Sequence, residues 1–402
     1  MINTIDLFAG CGGLTEGFAQ TGLYKTCACV EWEKPQCINL EKRLKEKWEV
    51  TNAEEIVIRF DIQRTDELLK GFDDQTYGTS KGLDALCNEE IDLVIGGPPC
   101  QAYSVAGRIR DENGMRNDYR NYLFESYLKV VTHYKPKAFV FENVEGILSA
   151  KPGNRPIIDI IKEEFLNAGY VIISDLRRAV IDFCDYGVPQ HRKRIIILGV
   201  RRDIVENNSD DLVEKFYTIV LPKYKTDHRT LRDAVGDLPK LYPLGYTTVV
   251  DGVKTCHSTP EQNIKNHISR YHNDRDIELF KILTKDIEEG KNIYSSIESR
   301  KRLYTERTGK VSNIHKYHVL KWDEPSTTIP AHLCKDGLRH IHPDSEQART
   351  ITVREAARIQ TFPDDYEFIG SLTDTYKMIG NAVPPEFARR LALAVNDLLF
   401  SE

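Results

Sequence analysis

The chain has 402 residues, 41% of them hydrophobic and 29% charged, and a formal net charge of −6. That length suits two domains or one large domain with an insertion, and the composition is that of an ordinary soluble globular fold. The balance excludes a general basic coat for nucleic acid, no apolar run reaches bilayer length, and no basic-then-apolar leader opens the chain, so a cytoplasmic protein is expected.

Residues 4–8 form a short apolar strand, Thr4-Ile5-Asp6-Leu7-Phe8, that runs into a glycine-rich turn. Leu14, Phe18 and Ala19 follow at helical spacing, and Gly22 suits the end of that helix. Residues 27–30, 56–60 and 93–95 read as three more strands. Leu123, Tyr127, Val130 and Val131 make one helical face before a fifth strand at residues 138–141. Ile157, Ile161 and Phe165 mark another helix, and residues 194–200 are a strongly apolar last strand. Strands alternating with helices predict an α/β fold. It would be an open, mostly parallel sheet covered on both faces, with ligands beyond the carboxyl ends of its strands. After Val200 the chain turns polar and loop-rich, with turn signals at Leu244-Gly245, Asp251-Gly252 and Asp336-Gly337. We expect a first domain over residues 1–200 and a smaller, irregular one over 201–371. The segment 372–402 then returns to the first domain through a helix bearing Phe387, Leu391, Ala394, Val395 and Leu398.

Phe8-Ala9-Gly10-Cys11-Gly12-Gly13 joins the first strand to the first helix, where backbone N–H groups and the helix N-terminus favour an anionic group. Such a turn alone suits dinucleotides, nucleotides and S-adenosylmethionine alike. Its spacing, Phe-x-Gly-x-Gly, departs from the dinucleotide fingerprint. Glu31 ends the second strand, where an acid can accept from both ribose hydroxyls. Trp32 can offer its face to an adenine, and Asp61, ending the third strand, can accept from the adenine amino group. Each acid taken alone is more often a solvated turn residue. Together, at successive strand ends, these groups describe an adenosine with a free ribose.

Gly96-Gly97-Pro98-Pro99-Cys100-Gln101 follows the apolar run Leu93-Val94-Ile95. Pro98 and Pro99 fix φ and remove donors, so they confine the loop that presents the Cys100 thiol. A free cysteine is more often inert core. The nine cysteines, odd in number and without Cys-x-x-Cys spacing, read as reduced thiols with no disulfide framework and no metal site. What marks out Cys100 is the set of motifs around it.

Asp6-Leu7-Phe8-Ala9-Gly10-Cys11-Gly12-Gly13, Gly97-Pro98-Pro99-Cys100-Gln101, Phe141-Glu142-Asn143-Val144, Gln190-His191-Arg192-Lys193-Arg194 and Gly380-Asn381-Ala382-Val383-Pro384-Pro385 resemble, in order, the motifs of the DNA (cytosine-5) methyltransferases. Arg354-Glu355-Ala356-Ala357-Arg358-Ile359-Gln360-Thr361-Phe362-Pro363-Asp364 is similar to that family's block just before the last. The likeness covers most of residues 1–200 and 322–402 and departs mildly at Ala102-Tyr103-Ser104. It implies the Rossmann-like sheet of methyltransferases that use S-adenosyl-L-methionine, with double-stranded DNA as partner. It further implies Cys100 as nucleophile toward cytosine C6, Glu142 as a protonated carboxyl at N3, and Arg192 and Arg194 on the base O2 or the adjacent phosphate. Phe8, Ala9, Gly10, Gly12, Gly13, Glu31, Trp32, Asp61, Ile62, Pro98, Leu123, Asn381 and Val383 would form the cofactor pocket.

The chemistry suits those roles. Cytosine C5 is a poor nucleophile, and a thiolate adding to C6 pushes electron density to C5 and negative charge toward N3. A carboxyl that stays protonated there needs its pKa raised by burial. Inside a duplex neither C6 nor N3 is reachable, so the nucleotide must rotate out of the stack. The loop from Ser104 to Asn117, with Gly107, Arg108 and Arg116, suits a lid over the extruded base.

Within 201–371, Arg300, Lys301, Arg302, Arg307, Lys310 and Lys316 interleave with Tyr304 and Tyr317, a run that can meet phosphates and base edges. His267, Arg270, His272 and Asn273 add donors. This domain is expected to choose the duplex sequence. A tRNA cytosine-5 methyltransferase with the same apparatus is the alternative, set back by the large second domain. An NAD-dependent oxidoreductase on the same sheet conflicts with the turn spacing and the Pro-Pro-Cys-Gln loop. A silent DNA-binding relative conflicts with the presence of every named side chain. With nothing ahead of the glycine turn, the chain resembles bacterial or phage modification enzymes, monomers that protect DNA from a paired endonuclease.

Overall fold

The computed structural model describes residues 1–99, 123–151, 155–262, 264–311 and 317–401. Cys100, the expected lid and Lys316 lie outside them. The chain divides into two compact units. The first joins Met1–Gly187, Arg192–Asp227 and Ala382–Glu402, and the second joins Val188–His191 and His228–Asn381.

The first unit is built on an eight-stranded sheet. Its strands are β1 (Ile2–Leu7), β2 (Tyr24–Glu31), β3 (Val57–Arg59), β6 (Leu93–Gly96), β7 (Ala138–Val144), β8 (Tyr170–Ile172), β9 (Val180–Asp182) and β10 (Lys193–Arg201), while β4 (Phe72–Asp74) and β5 (Gly78–Ser80) pair apart as a small hairpin. The order is β3-β2-β1-β6-β7-β10-β8, with β9 also on β10. The pairs from β3 through β7 are parallel, and β10 runs antiparallel to β7, β8 and β9. Strands covered on both faces read as unbroken apolar runs. Leu93, Val94 and Ile95 of β6 and residues Ala138, Phe139, Val140 and Phe141 of β7 are accordingly buried. The expected α/β sheet is therefore present. Its antiparallel edge was not anticipated, because an apolar run carries no direction.

Strand order reverses around β1, which has β2 on one side and β6 on the other. Open α/β sheets bind ligands in the crevice outside the carboxyl ends at such a point. The helices α1 (Gly13–Ala19), α2 (Lys34–Glu46), α3 (Leu123–Tyr134) and α4 (Ile157–Asn167) make the crossovers. Leu123, Tyr127, Val130 and Val131 of α3 are buried, as their spacing predicted. The Tyr217 hydroxyl donates to the Ile196 carbonyl and accepts from the Leu198 N–H, so residues up to 227 belong with β10. By compactness the first unit extends to Asp227 apart from Val188–His191 and resumes at Ala382.

The C-terminal helix Pro385–Leu399 packs on α1. A Cβ built on Gly17 would stand 2.4 Å from both the Ala388 Cβ and the Pro385 carbonyl oxygen. Backbone cannot step aside for a methyl group. Gly17→Ala should destabilise the first unit by about 1–3 kcal/mol, a fall of several degrees in its thermal midpoint. An unchanged midpoint would mean the two helices are free to separate.

The second unit has one two-stranded sheet among its described residues, β11 (Pro243–Val250) and β12 (Val253–His257). Helices Asp274–Glu288 and Ile297–Thr308 enclose a small core that includes Leu279, Phe280, Leu283, Leu303 and Tyr317, with Tyr304 packed against it. Tyr304 and Tyr317 are therefore not interleaved with the basic run for base contact, and Arg307 pairs with Glu278 at 2.6 Å. His267 and His272 are buried and hydrogen-bonded, Arg270 donates to the Cys334 carbonyl, and Asn273 caps the helix Asp274–Glu288. Those four donors hold the unit together. No described helix is long and apolar enough to cross a membrane.

Candidate active site

The glycine turn lies at the carboxyl end of β1. Phe8, Gly10 and Gly12 all have positive φ, at 59°, 60° and 83°, and Gly12 is the N-cap of α1. Glycine takes that conformation at no steric penalty, whereas Phe8 is strained, a condition that concentrates at functional sites. Glu31, at the end of β2, fastens the turn. Its Oε2 accepts from the Gly10 N–H at 2.8 Å, and its Oε1 accepts from the Trp32 and Glu33 N–H groups at 2.9 and 2.8 Å. Burial raises the Glu31 carboxyl and these N–H groups oppose the rise. Trp32 is half exposed, and its carbonyl accepts from Arg59 Nε at 3.4 Å.

Asp61 follows β3 and its Oδ1 accepts from the Gln63 N–H at 3.0 Å; Ile62 beside it is buried. A Cβ on Gly13 would meet the Val383 carbonyl oxygen at 2.2 Å, so Val383 lies beside the turn. Leu123 is buried at the start of α3. Asn381 ends the helix Leu372–Asn381 of the second unit.

A second cluster sits at the ends of β6 and β7. A Cβ on Gly97 would lie 2.7 Å from Glu142 Oε2, so the carboxyl rests against the backbone that leads into Pro98, Pro99 and Cys100. Asn143 Nδ2 donates to the Pro98 carbonyl at 3.1 Å, and Asn143 Oδ1 accepts from the Val144 N–H. Asn143, one of the quoted motif residues, had no expected role. A buried amide in an apolar strand was the available signal, because such a group must find partners. Pro98 is thereby anchored on the strand that carries Glu142.

Arg194 Nε lies 3.2 Å from Glu142 Oε1, with both side chains mostly buried. Burial pushes the Glu142 carboxyl up, and the Arg194 and Arg192 guanidinium groups pull it down. The net direction is upward. Arg192 is 2% exposed, and its Nη2 donates to the Ala382 carbonyl at 3.2 Å, tying in the segment that carries Val383. The structure thus gathers the turn, Glu31, Trp32, Asp61, Ile62, Val383, Pro98, Glu142, Arg192 and Arg194 in one unit.

A carboxyl with a raised pKa, held against a guanidinium, can deliver a proton at higher pH than an ordinary carboxyl. Such chemistry suits a polarised ring nitrogen. Residues 2–397 match the family model described as C-5 cytosine-specific DNA methylase. The chain is 36% identical to the Type II methyltransferase M.Bpa9945I of Bacillus paralicheniformis over 98% of each chain. It is 32% identical to the Type II methyltransferase M.DdeI of Desulfomicrobium norvegicum, over 97% of this chain and 88% of that one. A solved structure from Escherichia coli, assigned as a prophage-encoded DNA modification methyltransferase, shares the fold with a TM-score of 0.67 at 22% identity over the whole of both chains.

Proposed function

Because the chain belongs to the C-5 cytosine-specific DNA methylases, we propose that it transfers a methyl group from S-adenosyl-L-methionine to C5 of a cytosine rotated out of a specific duplex sequence. The observation that carries this reading is Glu142, its carboxyl shifted upward, against Arg194 and over Gly97, three residues before Cys100. The names of its relatives support a modification role beside a restriction endonuclease acting on the same site.

The residues around the turn fit the cofactor. Asp6 Oδ1, on the strand that enters the turn, and Gln36 Oε1, beside Gly10, are buried acceptors with no hydrogen-bond partner among the described residues. Buried acceptors of this kind call for a ligand that brings hydrogen-bond donors. Glu31 retains lone-pair capacity for ribose hydroxyls, Trp32 offers an exposed face and Asp61 stands near for the adenine amino group. S-adenosyl-L-methionine supplies an electrophilic methyl group when bound there.

The Cys100 thiolate adds to C6, breaking the C5–C6 π bond and sending its electron pair through the ring toward N3. Glu142 gives its proton to N3, and Arg194 stabilises the carboxylate that results. C5 then bonds the methyl group and loses its proton to a base. The C5–C6 double bond re-forms as the Cys100 sulfur departs, and N3 returns its proton to Glu142. Arg192 holds the C-terminal segment in place and biases Glu142 electrostatically.

The test is methyl transfer from labelled cofactor to duplex DNA and, separately, to tRNA. Label recovered as 5-methylcytosine in the duplex is expected; label in tRNA alone would overturn the proposal. Glu142→Gln should lower turnover by about 10²-fold or more, with cofactor affinity unchanged. In the native enzyme turnover should fall as pH rises through the elevated Glu142 pKa, because the neutral acid is the working form. Glutamine cannot titrate, so a variant that kept the same alkaline fall would assign that ionisation to another group.

A further inference from the structure

The hairpin β11–β12 of the second unit is built to be secured on one strand and bare on the other. On β12, Thr255, Cys256 and His257 are buried; His257 Nε2 bonds the Gln347 carbonyl at 2.8 Å, and Cys256 Sγ meets both the N–H and the carbonyl of His272. On β11, Tyr246 is 66% exposed and Val249 65% exposed. The tip is the dipeptide Asp251-Gly252, with φ of 48° and 76°, the mirror-image turn whose twist keeps two strands together. A two-stranded ribbon gains little stability from displaying large apolar side chains to water. Something is expected to cover them.

The pairing argues against another strand as that cover. Pro243 pairs with His257 and Thr248 with Thr255, so Leu244, Gly245, Tyr246 and Thr247 bulge outward opposite Cys256 alone. A bulge and a proline are the devices that blunt an edge against strand addition. What remains is a narrow, twisted ribbon with an arched edge. Val249 and Lys254 are directly opposed and share a face. Lys254 Nζ stands 4.1 Å from the centre of the Tyr271 ring and forms no ion pair among the described residues. A Cβ on Gly245 would meet open space.

We infer that β11–β12 enters the major groove of the DNA substrate and that Tyr246, Thr247, Val249 and Lys254 discriminate among bases there. The groove, about 12 Å wide, admits a two-stranded ribbon. Thr247 supplies a hydroxyl that donates or accepts, Tyr246 and Val249 supply apolar surface for thymine methyl groups, and Lys254 supplies a donor for guanine or phosphate oxygens. This inference rests on the proposed DNA methylation and names where its sequence choice is made. It moves the reading of bases away from the basic run at residues 300–310.

The test uses the full chain, labelled S-adenosyl-L-methionine and a duplex library with randomised sequence, read by methylation-sensitive sequencing. Tyr246→Ala should relax the methylated motif and lower kcat/KM on the preferred site by about ten-fold or more. Lys254→Gln should weaken duplex binding and reduce its salt dependence by about one ion. Both side chains leave the core untouched, so the thermal midpoint and cofactor affinity should stay as in the native protein. If the native protein methylates no duplex, the proposed function itself fails. If it methylates a defined motif and both variants keep that motif and rate, the hairpin assignment fails. A variant that keeps the motif but changes sedimentation from dimer to monomer would instead make the ribbon a contact between copies, which also overturns it.

Discussion

Replacing Cys100 by alanine should abolish methyl transfer, by roughly 10⁴-fold or more, while leaving S-adenosyl-L-methionine affinity nearly intact. The reason is a division of labour within the first unit. The proposed cofactor-binding groups lie at the ends of β1, β2 and β3, whereas Cys100 follows β6 in sequence, after Gly97 and Pro98, which meet Glu142 and Asn143. Removing the sulfur would leave the proposed adenosine pocket whole. It leaves C5 unactivated, because no other group on that loop can add to C6 and then depart. A duplex carrying 5-fluorocytosine at the target position adds a positive readout. The C5 proton is then replaced by fluorine, which cannot leave as a cation, so the sulfur–carbon bond should persist and map to Cys100 by mass spectrometry. Turnover in the alanine variant within ten-fold of native, or an adduct on another side chain, would place the nucleophile elsewhere.

Why much of this site could be read in the sequence, and some could not, follows from what each residue needs. Gly10 and Gly12 adopt backbone that other residues avoid, so their spacing announces a turn. Glu31 ends one apolar strand and Asp61 follows another, and two acids at successive strand ends say more than either does alone. Continuous apolar runs gave β6 and β7. The antiparallel course of β10 depends on the short return from β9, where Asp182 pairs with Lys193, and the apolar run records none of that. Glu31 was expected to face a ribose; that it also clamps three backbone N–H groups emerges only in three dimensions. The second unit was read least well. Tyr304 and Tyr317 among arginines and lysines looked like a nucleic-acid surface, but the helices on either side needed aromatic filling for their own core. His267 and His272 looked like donors to a ligand because a sequence does not distinguish an exposed imidazole from one that bonds a backbone carbonyl or a threonine.

Those buried imidazoles lead to the second large expected effect: the second unit should unfold in mild acid. His257, His340 and His342 are almost wholly buried, and burial pushes their pKa values down from 6.5 to about 4, 4 and 3. The Arg349 guanidinium adds to the shift at His257 and His342, and His318 adds to it at His340. Above pH 6.5 folded and unfolded chains are both neutral at these rings, and the rings contribute nothing to pH dependence. As pH falls below 6.5 the unfolded chain takes up protons that the folded one refuses, so stability is lost progressively toward pH 4. Glu355 acts in the same direction at lower pH. Burial alone would raise its carboxyl, but the bidentate contact with Arg349, at 2.7 Å to each oxygen, and the nearby His342 hold it well below the usual carboxylate range. Its stabilisation is present above pH 4.5 and is lost as pH falls further. Together the three imidazoles set an upper bound of about 12 kcal/mol, comparable with the 5–15 kcal/mol of a whole domain. Even half of that is enough to melt the unit. The urea midpoint of the transition, followed by circular dichroism from pH 7.5 to 4.5, should fall steeply below pH 6.5. His342→Asn should flatten the fall by a few kcal/mol, since the amide oxygen can replace Nδ1 as acceptor for the Asp344 N–H. A midpoint that stays level from pH 7.5 to 5 would mean that these rings take up protons in the folded protein as readily as in the unfolded chain, so that burial does not hold them neutral.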